Sequence, residues 1–238
     1  SMQSSVLKRL LTKTSFSMAS QDVRYYLNGM LLEVEDTKIN GVATDGHRLA
    51  FSSATTTESG LSARNILPRK AVLELSKLLS ATEETVELMV GASYIDVKSK
   101  NLRFSSKLID GKYPDYDKVF PTGEPLPLQI SKDLLQSALS RASVLSNEKY
   151  RGVRFQLTNN KLKLTANNPE QESAEEELEV LYGGAELEVG FNIGYLLDVL
   201  NSIESETVNF EFYGEDSSCI IKEIDSDNDV YVIMPMRL

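Results

Sequence analysis

The feature that most constrains this chain is an internal repeat. Tyr26-Leu-Asn-Gly-Met30, with its alternating continuation Leu31-Leu-Glu-Val-Glu35, resembles Tyr150-Arg-Gly-Val-Arg154 and the following Phe155-Gln-Leu157, about 124 residues further on. The same offset pairs Ala71–Leu79 with Tyr195–Ile203, and an offset of 122 pairs Glu84-Thr85-Val86 with Glu206-Thr207-Val208. Generic helix and strand patterns recur in any α+β chain, but three matches in the same order favour a duplicated domain. A length of 238 residues suffices for one large or two ordinary domains.

Hydrophobic periodicity gives both copies the same outline. Val6, Leu7, Leu10 and Leu11 recur at helical spacing in the first copy; Leu134, Leu135, Ala138, Leu139 and Ala142 do so in the second, where Ser131 is a candidate N-cap. A second helix is expected from about Pro68 to Leu79, and again after the candidate cap Asn192 to Ile203. Period-two runs at Leu31–Glu35, Val86–Val90, Tyr94–Val97, Leu162–Thr165, Val208–Phe212 and Val230–Met234 read as strands. Asn40-Gly41, Asn159-Asn160 and Gly183-Gly184 read as turns between them. The expected fold class is α+β, two tandem copies with two helices packed on antiparallel sheets and up to eight strands in each. Pro121-Thr-Gly-Glu-Pro125, without periodicity, is the expected linker, giving domains at 1–120 and 126–238.

Several chemistries are disfavoured at once. One cysteine, Cys219, leaves no internal disulfide or multi-cysteine zinc site, and one histidine, His47, leaves little imidazole for metal or triad chemistry. No P-loop, G-x-G-x-x-G, nucleophile elbow or H-E-x-x-H occurs. Thr44-Asp-Gly-His-Arg-Leu49 gathers reactive side chains, and a small hydrolase would use Asp45 and His47 as an acid–base pair. No nucleophile is adjacent, so a turn with Gly46 at a special backbone angle is the preferred reading. Asp225, Asp227 and Asp229 lack the central Gly and terminal Glu of a calcium loop and read as a solvated hairpin tip; Glu175-Glu176-Glu177 reads as a solvated strand edge. We expect no catalytic residues, no metal and no cofactor. No apolar run approaches the roughly 20 residues that span a bilayer, so the expectation is a cytoplasmic chain without a membrane partner.

The net charge of −10 argues against a nucleic-acid partner until it is divided. Up to Thr122 there are 16 basic and 14 acidic residues; beyond it there are 9 and 21, so the acidity lies in the second half. Basic residues recur on the helices: Lys8, Arg9 and Lys13 opposite the leucine face of the first, Arg69, Lys70 and Lys77 on the second, Lys132 and Arg141 on the third. Gln21-Asp-Val-Arg-Tyr-Tyr26 sets Arg24 beside Tyr25 and Tyr26, a composition suited to phosphate contact and base stacking.

At this point the segments Ser15–Ala19, Asp22–Gly29, Thr44–Ala50, Ser146–Gly152, Ala166–Gln171 and Tyr231-Val-Ile-Met-Pro-Met-Arg-Leu238 together resemble the bacterial DNA polymerase III beta subunit, the sliding clamp. The resemblance runs from about residue 4 to the end. It implies two copies of the DNA-clamp domain, the second and third of the three in that family, whose full-length members close as a head-to-tail homodimer around double-stranded DNA. It implies a non-catalytic processivity factor that tethers the DNA polymerase III catalytic subunit, the clamp loader, translesion and repair polymerases and mismatch-repair proteins. Without a first domain, the chain is expected not to close the ring. The implied DNA contacts are Lys8, Arg9, Lys13, Gln21, Arg24, Tyr25, Tyr26, Arg69, Lys70, Lys132 and Arg141, and the implied dimer contacts are Val144 and Leu145. Partner peptides carrying a glutamine and hydrophobic anchors are implied to dock in a pocket between the two domains. That site takes Leu27, Thr44, Gly46, His47, Arg48, Leu49, Pro114, Lys118 and Val119 from the first copy. From the second it takes Asn192, Tyr195, Ser218, Val232, Met234, Pro235, Met236 and Arg237. Lys118 stands where Arg is expected in close relatives, and Asp216 where an apolar residue is common, which bears on peptide preference.

Overall fold

The structure, a computed structural model, describes every residue except Thr57, Asp225 and Leu238. It divides into two compact units, Ser1–Asp115 and Tyr116–Leu238. Pro121–Pro125 lies just inside the second unit and has no regular secondary structure.

In the first unit β1 (Met2–Gln3) runs directly into α1 (Ser4–Thr14). Then follow β2 (Gly29–Asp36), β3 (Lys38–Thr44), β4 (Arg48–Thr55), β5 (Leu61–Pro68), α2 (Arg69–Leu78), β6 (Thr85–Val90), β7 (Tyr94–Lys98) and β8 (Arg103–Lys107). The strands form two antiparallel sheets, ordered β1-β6-β7-β8 and β4-β3-β2-β5. Leu7, Leu10 and Leu11 of α1 and Val72 and Leu75 of α2 are buried in one core with Met30, Leu32, Ile39, Leu67, Val86, Ile95 and Val97 from both sheets.

The second unit repeats this plan element for element. Its members are β9 (Leu126–Ser131), α3 (Lys132–Val144), β10 (Gly152–Thr158), β11 (Lys161–Asn167), β12 (Ser173–Glu179), the two-residue β13 (Leu181–Tyr182), β14 (Leu187–Asn192), α4 (Ile193–Ser202), β15 (Thr207–Phe212), β16 (Cys219–Glu223) and β17 (Asp229–Ile233). One sheet is β12-β11-β10-β14; the other runs β13-β9-β15-β16-β17, so β13 is the only addition to the plan of the first unit among the described residues. The core differs in kind. A chain of rings, Phe155 to Phe191 at 5.3 Å, Phe191 to Phe212 at 6.2 Å and Phe212 to Phe210 at 5.9 Å, fills the space between the sheets beneath Leu135, Leu139, Leu196 and Leu200. Cys219 is fully buried here, and burial pushes its thiol up to about 12, which makes it an inert core residue.

Helix starts follow local chemistry. Ser131 Oγ accepts from Leu134 N and Asn192 Oδ1 accepts from Tyr195 N, so both expected caps of the second unit are present. The helices of the first unit have no side-chain cap; at α1 the donors Ser4 N and Ser5 N are instead taken by the carbonyls of Glu84 and Thr82.

Three sequence expectations are corrected. Asn40-Gly41 is not a turn but the middle of β3, with Gly41 opposite Leu32 on one side and Ser52 on the other; the hairpin turn is Asp36-Thr37, where Asp36 has φ +54°. A Cβ at Gly41 would lie 3.4 Å from the carbonyl oxygen of Leu10, at van der Waals contact, so α1 packs directly over the strand backbone here. Lys13 does not stand opposite the leucine face: it is buried with only 6% of its surface exposed. Asp229 is likewise buried, as the first residue of β17, rather than part of a solvated tip; Asp227 is exposed and Asp225 lies outside the described residues. Since the stacked phenylalanines replace the aliphatic packing of the first unit, Phe210→Ala should destabilise the second unit by about 3–5 kcal/mol, read from the midpoint of urea unfolding.

Candidate functional site

The segment richest in reactive side chains is held by its own hydrogen bonds. Asp45 Oδ1 accepts from the backbone N–H groups of His47 and Arg48, at 2.9 and 3.1 Å, and Oδ2 accepts from Arg48 Nε at 3.1 Å. The carboxylate therefore builds the turn between β3 and β4 and meets the main chain of His47, not the ring. Gly46 has φ +91°, as expected for the turn, and a Cβ there would sit 2.9 Å from the Arg24 guanidinium. Arg48 Nη2 also donates to the carbonyl of Phe16, and its guanidinium lies 5.7 Å from that ring. Behind the turn, Tyr113, which sequence reasoning missed, is buried and its hydroxyl accepts from Thr44 N at 3.1 Å. Its position in an irregular segment before Pro114 carries no periodic signal.

Of the docking positions on the first unit, His47, Pro114 and Lys118 (the last already in the second unit's opening 3-10 turn, Tyr116–Val119) are exposed, Val119 is half-buried, and Leu27, Thr44 and Leu49 are buried. On the second unit Val232 is core, Asn192 is engaged as the cap of α4, Tyr195 and Ser218 are half-buried, and the terminal segment is partly open. Met234 and Arg237 are exposed there, and Pro235 and Met236 half-buried. Met236 N donates to the carbonyl of Gly190 at 2.8 Å, which ties this segment to the edge of β14.

The basic residues are more engaged than their sequence pattern implies. Lys8 Nζ donates to the carbonyl of Leu79 at 2.9 Å and Lys132 Nζ to that of Ile203 at 3.3 Å; in each unit a lysine of the first helix thus binds the C-terminal end of the second. Arg9 donates to Ser53 O and Arg69 to Met18 O. A carbonyl is neutral, so at Lys8, Lys132 and Arg69 the bond itself does not cancel the charge. Arg141 differs, for it forks onto Glu176 through Nε and Nη2, at 2.6 and 2.8 Å. Lys70, Gln21 and Tyr25 are exposed, Tyr26 half-buried, Val144 exposed and Leu145 half-buried.

Arg24 is bound to Asp22 by two side-chain bonds, Nε to Oδ1 at 3.0 Å and Nη2 to Oδ2 at 2.8 Å, and its backbone N–H also donates to Oδ1. Those bonds hold the Asp22 carboxyl down at about 2. Tyr25 and Tyr26 meet edge to face beside it, with centroids 5.7 Å apart. Among the described residues no group of three or more His, Cys, Asp or Glu side chains could hold a metal ion, and no helix is long and apolar enough to cross a membrane.

Comparison with known proteins decides the family. Residues 1–115 match the family model of the DNA polymerase III beta subunit central domain, and residues 117–237 match that of its C-terminal domain. The chain belongs to the DNA polymerase III beta subunit family. It is 49% identical over 239 residues to the beta sliding clamp of Pseudomonas aeruginosa, covering 100% of this chain and 65% of that one, and 49% identical over 232 residues to that of Escherichia coli K12, covering 98% and 63%. It thus spans just under two thirds of these relatives. The crystal structure of the DNA polymerase III subunit beta from Pseudomonas aeruginosa superposes with a TM-score of 0.97 at 50% identity, over 100% of this chain and 65% of that one. The C. crescentus beta sliding clamp gives 0.93 at 36%, over 99% and 64%.

The low Asp22 value has a testable sign. A carboxylate whose pKa is depressed on folding adds its contribution above its unfolded value and loses it as pH falls through the folded one. The Asp22 carboxyl carbon should titrate near pH 2 by NMR, and Arg24→Ala should move the midpoint up towards 3.8, the ordinary value for this group.

Proposed function

We propose that this chain is the central and C-terminal part of a DNA polymerase processivity clamp, a non-catalytic subunit acting in the cytoplasm. The observation that carries this reading is the likeness to sliding clamps along the whole of both units, in sequence and in fold. In the full-length subunit, a homodimer closed through Val144, Leu145 and a first domain encircles double-stranded DNA. The cations on the helices, Lys8, Arg9, Arg69, Lys70 and Lys132, supply a positive field, and the Arg24–Tyr25–Tyr26 loop adds polar and aromatic contacts. Sliding needs many weak phosphate contacts that carry no sequence information. Cations tied to neutral carbonyls suit this, since they hold charge in place without closing on a phosphate. Lys13, being buried, does not touch DNA, and Arg141 must leave Glu176 to act.

Partner peptides from the polymerase III catalytic subunit, the clamp loader, translesion and repair polymerases and mismatch-repair proteins dock on the two residue sets assigned above. On the first unit buried Leu27 and Leu49 lie within its set; on the second, Val232 is buried and Met234, Pro235 and Met236 offer an adaptable apolar surface. A few central apolar contacts carry most of such an affinity.

Deleting the last five residues should weaken a glutamine- and leucine-containing peptide by at least ~2 kcal/mol, about thirtyfold, in a fluorescence titration, with little change in melting temperature. Equal affinities in the intact and shortened chains would place the docking site elsewhere. Loss of folding would make the tail core.

A further inference from the structure

We propose that the second unit carries an additional subsite, a cation-rimmed cleft on the outer face of its β12-β11-β10-β14 sheet that takes an acidic residue flanking the anchors of a docked partner peptide. The proposal rests on the peptide-docking reading above and names a feature of the partner that the assigned docking residues do not.

The cleft follows from the sheet register. Arg154 of β10 is opposite Thr165 of β11 on one side and Gly190 of β14 on the other, and Gly190 is bridged in turn to Met236 of the terminal segment. Two residues along, Gly152 is opposite Asn192. Alternation along each strand puts all of these on one face, while Val153, Phe155 and Phe191 fill the core from the other. Two of the positions on that face, Gly152 and Gly190, are glycine and carry no side chain. What remains is a trough of about 330 Å³ lined by Arg154, Thr165, Asn167, Tyr150, Met236 and Arg237, with Asn147 and Gly152 at one end. Asn147 fixes the Tyr150 wall, its Oδ1 accepting from Lys149 N and Tyr150 N, and Asn192 Nδ2 donates to the carbonyl of Tyr150.

Charge argues for the occupant. Only 9 basic residues lie beyond Thr122, against 21 acidic ones, yet Arg154 and Arg237 line this trough and Lys149 stands at its Tyr150 wall. Lys149 Nζ lies over the Tyr150 ring at 5.1 Å. Of the carboxylates on the same face, Glu188 is engaged with Arg154 and Gln156 and Glu175 with Lys163, while Glu177 and Glu179 lie further along β12, opposite Lys163 and Lys161. The Arg154–Glu188 pair is solvent-accessible on both sides and therefore cheap to exchange for an incoming carboxylate. Tyr150 and Met236 supply the apolar walls along which the stem of an aspartate or glutamate lies. The trough is continuous with the docking set, since Met236 and Arg237 belong to both, so a peptide anchored there carries its flanking residues over the cleft.

The test uses the full chain and two pairs of synthetic peptides sharing the same glutamine and leucine anchors. Each pair has two Asp or two Asn at one flank, the N-terminal flank in one pair and the C-terminal flank in the other. At low salt the Asp member of one pair should bind about fivefold tighter than its Asn counterpart. Arg154→Glu should abolish that preference and Arg154→Gln reduce it, with the Asn peptide's affinity and the melting temperature unchanged. Equal binding within both pairs, or a preference that survives Arg154→Glu, overturns the subsite while leaving peptide docking intact. Failure of every peptide to bind overturns both readings. If instead Arg154→Glu weakens a short DNA duplex and leaves the peptide preference unchanged, the cleft serves phosphate and the proposal is wrong.

Discussion

The structure depends on a junction made four times: a strand that passes into a helix with no intervening loop, at Gln3–Ser4, Pro68–Arg69, Ser131–Lys132 and Asn192–Ile193. Such a junction aims the helix back across the sheet, and it leaves first-turn N–H groups that must find acceptors inside the fold. The solutions tie distant parts of each unit together. Ser4 N and Lys132 N donate to the carbonyls of Glu84 and Glu206, which lie just before β6 and β15, and Ile193 N donates to Arg151 O at the entrance to β10. Lys8 and Lys132 then clamp the far end of the second helix. One backbone requirement thus fixes the helix pair, the sheet it covers and the start of the next hairpin.

That same clamp explains why a cationic face does not mean a free cationic surface. Lysine reaches a helix C-terminus because the partial negative charge there favours it, and the bond immobilises the ammonium without neutralising it. The Asp22–Arg24 fork is the opposite case, a cation countered by a carboxylate two residues away, and any phosphate at this loop competes with a partner that stays ionised down to about pH 2.

The repeat, the four helices and the caps Ser131 and Asn192 were legible in the sequence because they are local: 3.6-residue and two-residue periods and a capping side chain need no knowledge of the tertiary fold. The misreadings came from tertiary packing. Asn40-Gly41 has the chemistry of a hairpin turn, but it lies in mid-strand, paired on both sides and packed against Leu10 of a helix some thirty residues earlier. Lys13 falls in helical register on a polar stripe, yet α1 is covered on more than one side, as its contacts with α2, β3 and β4 require. Asp229 reads as one of three alternating acids and is instead the buried first residue of a strand. In the candidate site, the motif Thr44–Leu49 marked a real turn, whereas Tyr113 behind it and the trough beside Met236 could not be seen, because each exists only through pairings between remote segments.

The C-terminal segment shows how a tail becomes structure. After β17 ends at Ile233, Pro235 cannot donate to a ladder, and among the described residues the tail then meets a sheet through Met236 N to Gly190 O. Gly190 is also opposite Arg154, so this single bond places Met236 at the end of a row that crosses the whole sheet. Met236 and Arg154 thus flank the same glycine from its two sides, and both line one trough with Arg237, Thr165 and Tyr150.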